Sequence, residues 1–411
     1  MPVLIPQDIR DLIMEEIIQI MDEPTIRNCA LASRSFTNRC QKHLFKSVTL
    51  DIGNKDRYVG FQRILSSDPR IALYIRELSL CDEYYAIAEH GKPYHVLAGI
   101  TASEYTNYAV KSTLPTMLKL LTRLESFNLE LGYHFKSGIG WNSLPKDVTN
   151  AFIELAAWKT IKAFSLHSVL GFPSSCLTDL VYKIEQLTLR DVILEDQSSQ
   201  SFSSFWNLHT SSSKIKSLSL SGDYSTCADV IYQVILRSPF SNLNSISISP
   251  PQSDNQLTID AWEIVRASAS TITHFAWMPI RYTLTELHTG PINLRILRNL
   301  RSLKFLIGLE SGNPFGGVFQ LLRQLSEHHP TVEKIIFKCE SLVGDLIKYD
   351  EDWRYMDELL MKPGYRRLRQ VLIVLKEPQS SDCQSRTSIN SIFPVCRAKG
   401  IEFHCVSVDL M

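Results

Sequence analysis

The chain carries no surplus of charge: 43 basic residues balance 43 acidic ones, for a formal net charge of zero. A broad basic surface for nucleic-acid phosphates is therefore not expected, and no nucleic-acid partner is read from the composition. Long hydrophobic runs are also missing. No stretch approaches the roughly 18 apolar residues that span a bilayer, so no membrane partner is expected either. The nine cysteines, at positions 29, 40, 81, 176, 227, 339, 383, 396 and 405, form no C-x-x-C pair. Such an odd, scattered set reads as free thiols of a reducing compartment and not as a disulfide framework. None of the 15 asparagines heads an N-x-[ST] sequon. The opening Met1-Pro2-Val3-Leu4-Ile5-Pro6-Gln7-Asp8 has no basic segment and turns charged too early for a secretory signal. These absences together point to a cytoplasmic or nuclear protein, with no clear basic import run.

Catalytic signatures are equally scarce. His328-His329, and His90 with His95, lack the helical spacing and third ligand of a zinc site. Gly308, Gly312, Gly316 and Gly317 are not followed by Lys-[ST], so they make turns and not a phosphate loop. There is no G-x-S-x-G elbow and no cysteine in a nucleophile context. No catalytic residue, metal or cofactor is expected.

What is present is the material for a large core. The 411 residues are 44% hydrophobic and 21% charged, enough for two or three domains or one elongated repeat array. Gln7 to Met21 reads as an amphipathic helix, with Ile9, Leu12, Ile13, Ile17 and Ile20 at helical spacing and Asp8, Arg10, Asp11, Glu15 and Glu16 on the other face. Asp22-Glu23-Pro24 ends it and starts a second helix, since acids and proline favour a helix N-terminus. After a turn around Ser33 to Ser35, Phe36, Cys40 and Leu44 form a further apolar face. Charge segregates: residues 8–23 hold six acids and one base, whereas 24–46 hold five bases and no acid. Three short helices bury little surface alone, so a partner or the rest of the chain should complete their core.

These residues carry a resemblance. Ile5-Pro6-Gln7-Asp8-Ile9, then Asp22-Glu23-Pro24-Thr25-Ile26 running on through Leu31-Ala32-Ser33-Arg34-Ser35-Phe36, then His43-Leu44-Phe45, resemble the F-box, and most of all that of basidiomycete fungal F-box proteins. Asp8, Ala32 and Phe36 stand where the motif usually has glutamate, valine and tryptophan. The resemblance implies docking onto the Skp subunit of a Skp–cullin–F-box ubiquitin ligase. By position, Ile5, Pro6, Ile9, Ile13 and Ile17, with Cys29, Leu31 and Ser33, are the implied contacts, some of them shared with the bundle's own core. The bland alternative is an N-terminal cap.

From Phe45 onwards an apolar-x-x-apolar-x-apolar unit recurs, as in Ile75…Leu78-Ser79-Leu80 and Ile215…Leu218-Ser219-Leu220. Chance alone yields many such matches at this composition, so the spacing matters more. From Ile184 to Val332 the units are 31, 28, 29, 28 and 32 residues apart, with helical segments such as Leu114–Leu121, Val148–Trp158, Cys227–Leu236, Ile259–Ala267 and Val318–Leu325 recurring between units. A strand plus a helix every 30 residues or so resembles a leucine-rich-repeat solenoid. The usual asparagine ladder is absent: Gly53, Glu83, Gly132, Val169, Val192, Asp223 and their counterparts occupy those positions. The expected fold is therefore α/β: a three-helix bundle over residues 1–47, then a degenerate repeat array over 48–411 with a curved parallel sheet. A doubly wound α/β domain is the competing architecture. Two interruptions, roughly 81–111 (tyrosine-rich) and 198–213 (serine-rich), read as surface loops.

Along each strand the residues between the apolar positions should face away from the helices, towards the concave side. Early units place Ser79, Asn128, Ser165, Thr188, Ser219 and Ser247 there; later ones place Ala276, Lys304, Ile336 and Leu372, with Met278, Leu306, Lys338 and Val374 one step beyond. The later set is a candidate surface for a protein target, although Val371 to Leu375 also reads as a strand buried on both faces. The expected function is a substrate-recruiting ligase subunit, whose partners are Skp, cullin through it, and a protein target. The alternatives are a ligase-independent scaffold or sensor, and an enzyme on an α/β domain.

Overall fold

The computed structural model describes residues 6–20, 22–51, 55–81, 110–131, 140–195, 213–222, 227–228, 230–232, 242–250, 255–278, 292–308, 315–326, 331–339, 349–377 and 393–409. Both expected interruptions fall almost wholly outside these residues. The chain forms two units, Met1–Ile184 with Leu194–Asp196, and Glu185–Ile193 with Gln197–Met411.

The first unit opens with helices α1 (Gln7–Ile20), α2 (Glu23–Ala32) and α3 (Arg34–Leu44). Asp22 caps α2, its carboxylate accepting the Thr25 N–H at 3.1 Å. Ser33 ends α2 and begins α3, its hydroxyl accepting the Ser35 N–H at 3.3 Å. Strand β1 (Ser47–Asp51) follows α3 almost directly, then α4 (Lys55–Ser67), β2 (Glu77–Cys81), α5 (Val110–Leu120), β3 (Ser126–Glu130), α6 (Lys146–Ala156), β4 (Ala163–Phe172) and α7 (Ser174–Lys183). The second unit holds β5 (Gln186–Leu194), β6 (Ser217–Ser221), β7 (Ser245–Ser249), α8 (Asn255–Ala267), β8 (His274–Trp277), β9 (Ser302–Ile307), α9 (Gly316–Leu325), β10 (Lys334–Cys339), α10 (Asp350–Leu360), β11 (Gln370–Glu377), α11 (Pro394–Ala398) and β12 (Glu402–Asp409).

Within each unit the strands are parallel and follow chain order, β1 to β4 in the first and β5 to β12 in the second. That order never reverses, which removes the doubly wound alternative: such a fold needs a point where strand order turns back. All twelve expected strands are present. The register explains why. Leu78, Phe127 and Phe164 lie opposite one another, as do Leu80, Leu129 and Leu166. In the second unit one row runs Leu187, Leu218, Ile246, Phe275, Leu303, Ile335, Val371, and all seven side chains are buried.

A backbone joint recurs at the start of the strands. The carbonyl of Lys46 accepts both the Arg76 and the Glu77 N–H, at 2.9 and 3.0 Å. The carbonyls of Arg76 and Glu125 repeat the arrangement in the first unit, and those of Glu185, Lys216, Asn244, Thr273, Arg301 and Glu333 repeat it in the second. The joint uses backbone alone, so it tolerates any side chain at these positions. This is one reason a degenerate repeat still stacks.

Among the described residues, helices pack against one face of the strands. Phe152 of α6 meets Phe127 at 5.6 Å between ring centroids, and Trp262 of α8 meets Phe275 at 6.0 Å. Trp353 of α10 is fully buried and touches Phe315, Phe337 and Phe393 at 4.7, 5.8 and 5.6 Å. Near the C-terminus the buried Asp357 carboxylate accepts the Val395 and Cys396 N–H groups at 2.7 and 2.8 Å, holding the first turn of α11 against α10. Cys29, Cys40, Cys81, Cys176, Cys227, Cys339 and Cys396 are free thiols.

Two steps past the last apolar residue of the six-residue unit (Leu166, Leu189 and Leu220), the backbone is left-handed in three repeats: Ser168 (φ 57°) within β4, Asp191 (φ 53°) within β5, and Gly222 (φ 67°) just after β6. A Cβ on Gly222 would meet the Asp191 carboxylate at 1.8 Å, a side chain that can swing away. On Gly364 it would meet the Leu325 carbonyl oxygen at 2.1 Å, which is backbone and cannot. Gly222→Ala should therefore cost about 1–2 kcal/mol, chiefly as backbone strain. Gly364→Ala should cost more, about 2–4 kcal/mol. Urea unfolding followed by circular dichroism measures both; the reverse order would refute this account of the two glycines.

Candidate functional site

The three N-terminal helices share a small core of Met14, Ile26 and Cys40, with Ile17, Ile18, Cys29, Ala30, Phe36 and Leu44 packed around it. Burial pushes the Cys40 thiol above its ordinary value, as an apolar site disfavours thiolate. Thr37 of α3 donates to the Ala30 carbonyl of α2 at 2.9 Å. Arg39 of α3 reaches Asp11 and Glu15 of α1 at 3.0 and 2.9 Å, so the segregated charges of the two helices meet across the bundle.

Most of the apolar stripe of α1 does not join that core; Ile17 alone of it does. Met14 and Ile18 face inwards, while Ile9, Leu12, Ile13 and Ile20, on the opposite side, are 46%, 62%, 44% and 81% exposed. Leu31 at the end of α2 is 86% exposed. Of the implied contacts, Ile9, Ile13, Leu31 and Pro6 are thus available to a partner. Ile17 and Cys29 pack on the bundle core, and Ser33 serves as a helix cap. Ile5 lies outside the described residues. Leu12 and Ile20 were not among the implied contacts, although their spacing from Ile9 already placed them on the same stripe.

The bundle is tied to the strands behind it. The Tyr74 hydroxyl donates to Asn38 of α3 at 2.9 Å, the Lys42 ammonium lies 5.9 Å from the Tyr74 ring centre, and Lys46 reaches Glu77 at 3.7 Å.

A second surface is the helix-free face of the second unit's strands, which changes character along the array. Thr188, Ser219 and Ser247 stand in register, flanked by Ser217 and Ser245 on one side and Ser221 and Ser249 on the other. From β8 onwards the same row becomes Ala276, Lys304, Ile336, Leu372 and His404. The next row brings Leu306, Lys338 and Val374 into line. Met278, Lys304, Ile336, Lys338, Leu372 and Val374 are all half-buried. Two expectations are corrected here. Leu372 and Val374 remain partly open to solvent, so β11 is not buried on both faces; Leu306, at 8% exposed, is buried and forms floor instead of contact surface. Burial, reinforced by the neighbouring Lys338 charge, pulls the Lys304 ammonium below the usual lysine value.

Among the described residues no three His, Cys, Asp or Glu side chains are grouped to hold a metal, and no helix is long and apolar enough to cross a membrane. His90, His95, His328 and His329 lie outside the described residues. A cleft of about 320 Å³ between α5 and α6 is lined by Pro115, Thr116, Lys119, Asp147, Asn150, Ala151 and Glu154, with no nucleophile–base pair in it. The surfaces found are suited to binding.

No family model matches the chain, and no curated protein matches it. Among solved structures it is similar to a leucine-rich repeat-containing protein, LegL7 from Legionella pneumophila. The two are 14% identical, with 84% of this chain and 97% of that one covered and a TM-score of 0.41.

If packing holds the bundle together, Met14→Ala should cost about 2–5 kcal/mol, Ser33→Ala about 1 kcal/mol, and Arg39→Ala less than about 1 kcal/mol because its ion pairs are solvated. Thermal unfolding of the full chain, with a probe in the first 45 residues, tests that ranking. A dominant Arg39 effect would contradict it.

Proposed function

We propose that this chain is the substrate-recruiting subunit of a Skp–cullin–F-box ubiquitin ligase. In this reading residues 1–47 bind the Skp subunit, and through it cullin, while the repeat array of residues 48–411 binds a protein target. The observation that carries the proposal is the pair of opposed apolar sides on α1. One side, Met14 and Ile18, satisfies the bundle's own core. The other, Ile9, Leu12, Ile13 and Ile20, is exposed, and Leu31 of α2 is more exposed still. Burying one such side chain completely stabilises a complex by about 1.5–3 kcal/mol. A helix face laid into an apolar groove has the form of helix-in-groove recognition, with Glu16 among the apolar side chains. The mechanism is proximity: fixing the chain to the scaffold raises the target's effective concentration near the ubiquitin-conjugating enzyme, and no chemistry is asked of the chain itself.

The second reading, a ligase-independent scaffold with the bundle as a cap, is favoured by the contacts of Asn38, Lys42 and Lys46 with Tyr74 and Glu77. A pure cap, however, presents a polar outer side, and this one presents isoleucine and leucine.

The test is co-expression with a Skp subunit and size-exclusion chromatography, for the wild type and for Ile9→Asp with Leu31→Asp. Both positions are exposed, so the double variant should keep its circular dichroism. It should lose the one-to-one complex by more than about 100-fold, equivalent to about 3 kcal/mol. A well-folded wild type that forms no complex would leave the cap reading in its place.

A further inference from the structure

We propose that the helix-free face of strands β9 to β11 is a docking strip for an extended segment of a partner protein in which carboxylate side chains alternate with apolar ones. This inference deepens the proposed function by naming the chemistry of its target, and it rests on that reading only for the purpose the docking serves.

Charge and pattern decide the occupant. Lys304 lies opposite Ala276 and Ile336, and Lys338 opposite Leu306 and Val374, so each ammonium rises from a row otherwise made of apolar side chains. Lys334 adds a third positive charge on the same face, one row nearer the strand starts. Neither Lys304 nor Lys338 makes an ion pair or hydrogen bond among the described residues. Among the described residues Glu402 shares this face on β12, 3.6 Å from the His404 ring. Lys304 is half-buried, yet lysine normally carries its charge to water along its flexible stem. An unpaired ammonium held in that setting is unfavourable until an anion reaches it.

The apolar positions set the rest of the pattern. Ile336, Leu372 and Val374 are half-buried, so they keep surface for a partner to cover, and Leu306 floors the strip. An extended chain places alternate side chains on one side, which matches rows in which lysine and aliphatic positions alternate between neighbouring strands. The hydroxyl-lined strands β6 and β7 offer neither charge nor apolar area, and the first lysine stands on β9, so the strip begins there.

The experiment is selection of a displayed random heptapeptide library on the full-length protein, followed by fluorescence anisotropy with the winning peptides. The expected result is enrichment of aspartate and glutamate interleaved with leucine, isoleucine or valine. Affinity should fall at least tenfold in Lys304→Met with Lys338→Met. Those substitutions remove unpaired charge without adding any, so the unfolding midpoint should hold or rise while binding is lost, which a merely structural role would not produce. Lys304→Gln serves as the second variant. Ile9→Asp with Leu31→Asp should bind the peptides normally, and the lysine variants should still form the Skp complex, so the two proposals fail separately. No enrichment, enrichment indifferent to the lysines, or binding only of phosphoserine versions of the peptides would overturn the proposal.

Discussion

The structure depends on a carbonyl oxygen that accepts two N–H groups from the strand after it. Lys46, Arg76 and Glu125 provide it in the first unit, and Glu185 through Glu333 provide it in the second. Because it is made of backbone, this joint fixes strand register without reading side chains, and register then determines what stacks on what. With Lys46 paired to Arg76 and Glu77, Leu80 must lie opposite Leu50 and Leu129. Each repeat has one apolar row that it cannot cover alone, so the row is buried only by its neighbours. Polar groups just before the strands, such as Glu125 between Lys162 and Arg76, decorate this joint without creating it; they are solvated and contribute little.

The same constraint frees the opposite face. Helices cover the rows of Phe127, Phe275 and Phe337, so the alternate residues carry less of the packing, although some bond across strands, as Asn128 does to the Ser79 hydroxyl at 2.8 Å. Their composition can therefore follow function. Serine fills β6 and β7, aliphatic residues and lysine dominate β9 to β11, and the strands pair in the same register across the change. The bundle shows the same economy on a smaller scale. Its core takes Met14, Ile26 and Cys40 with Ile17 and Ile18 packed on them, and Ile9, Ile13 and Ile20 of α1 stay exposed.

Much of the fold was legible in sequence because the apolar-x-x-apolar-x-apolar unit marks a strand with one buried face. Its spacing near 30 residues leaves room for one helix. The missing asparagine ladder did not prevent stacking: left-handed residues at Ser168, Asp191 and Gly222 bend the chain after the apolar unit, and the Cys227 thiol donates to the Val192 carbonyl. Those devices have no sequence signature: two of the three left-handed positions are not glycine. The site was less legible. Periodicity shows that Ile9, Leu12, Ile13 and Ile20 share a side, but not which side of α1 meets α3. Met14 and Ile18 win the interior because α3 offers them Cys40 and Phe36. Leu306 likewise reads as surface from its alternation and is buried in the fold, since alternation reports direction and not depth.

The short passage from α3 to β1 has a mechanical meaning. Only Phe45 and Lys46 separate the end of the helix from the first strand, and the Lys46 carbonyl already belongs to the ladder. Asn38 and Lys42 grip Tyr74 from the side. A body that seizes α1 therefore seizes a lever, not a tether: its angle is passed through α3 to the first strands without a swivel, so that whoever holds the bundle also aims the repeats that follow it.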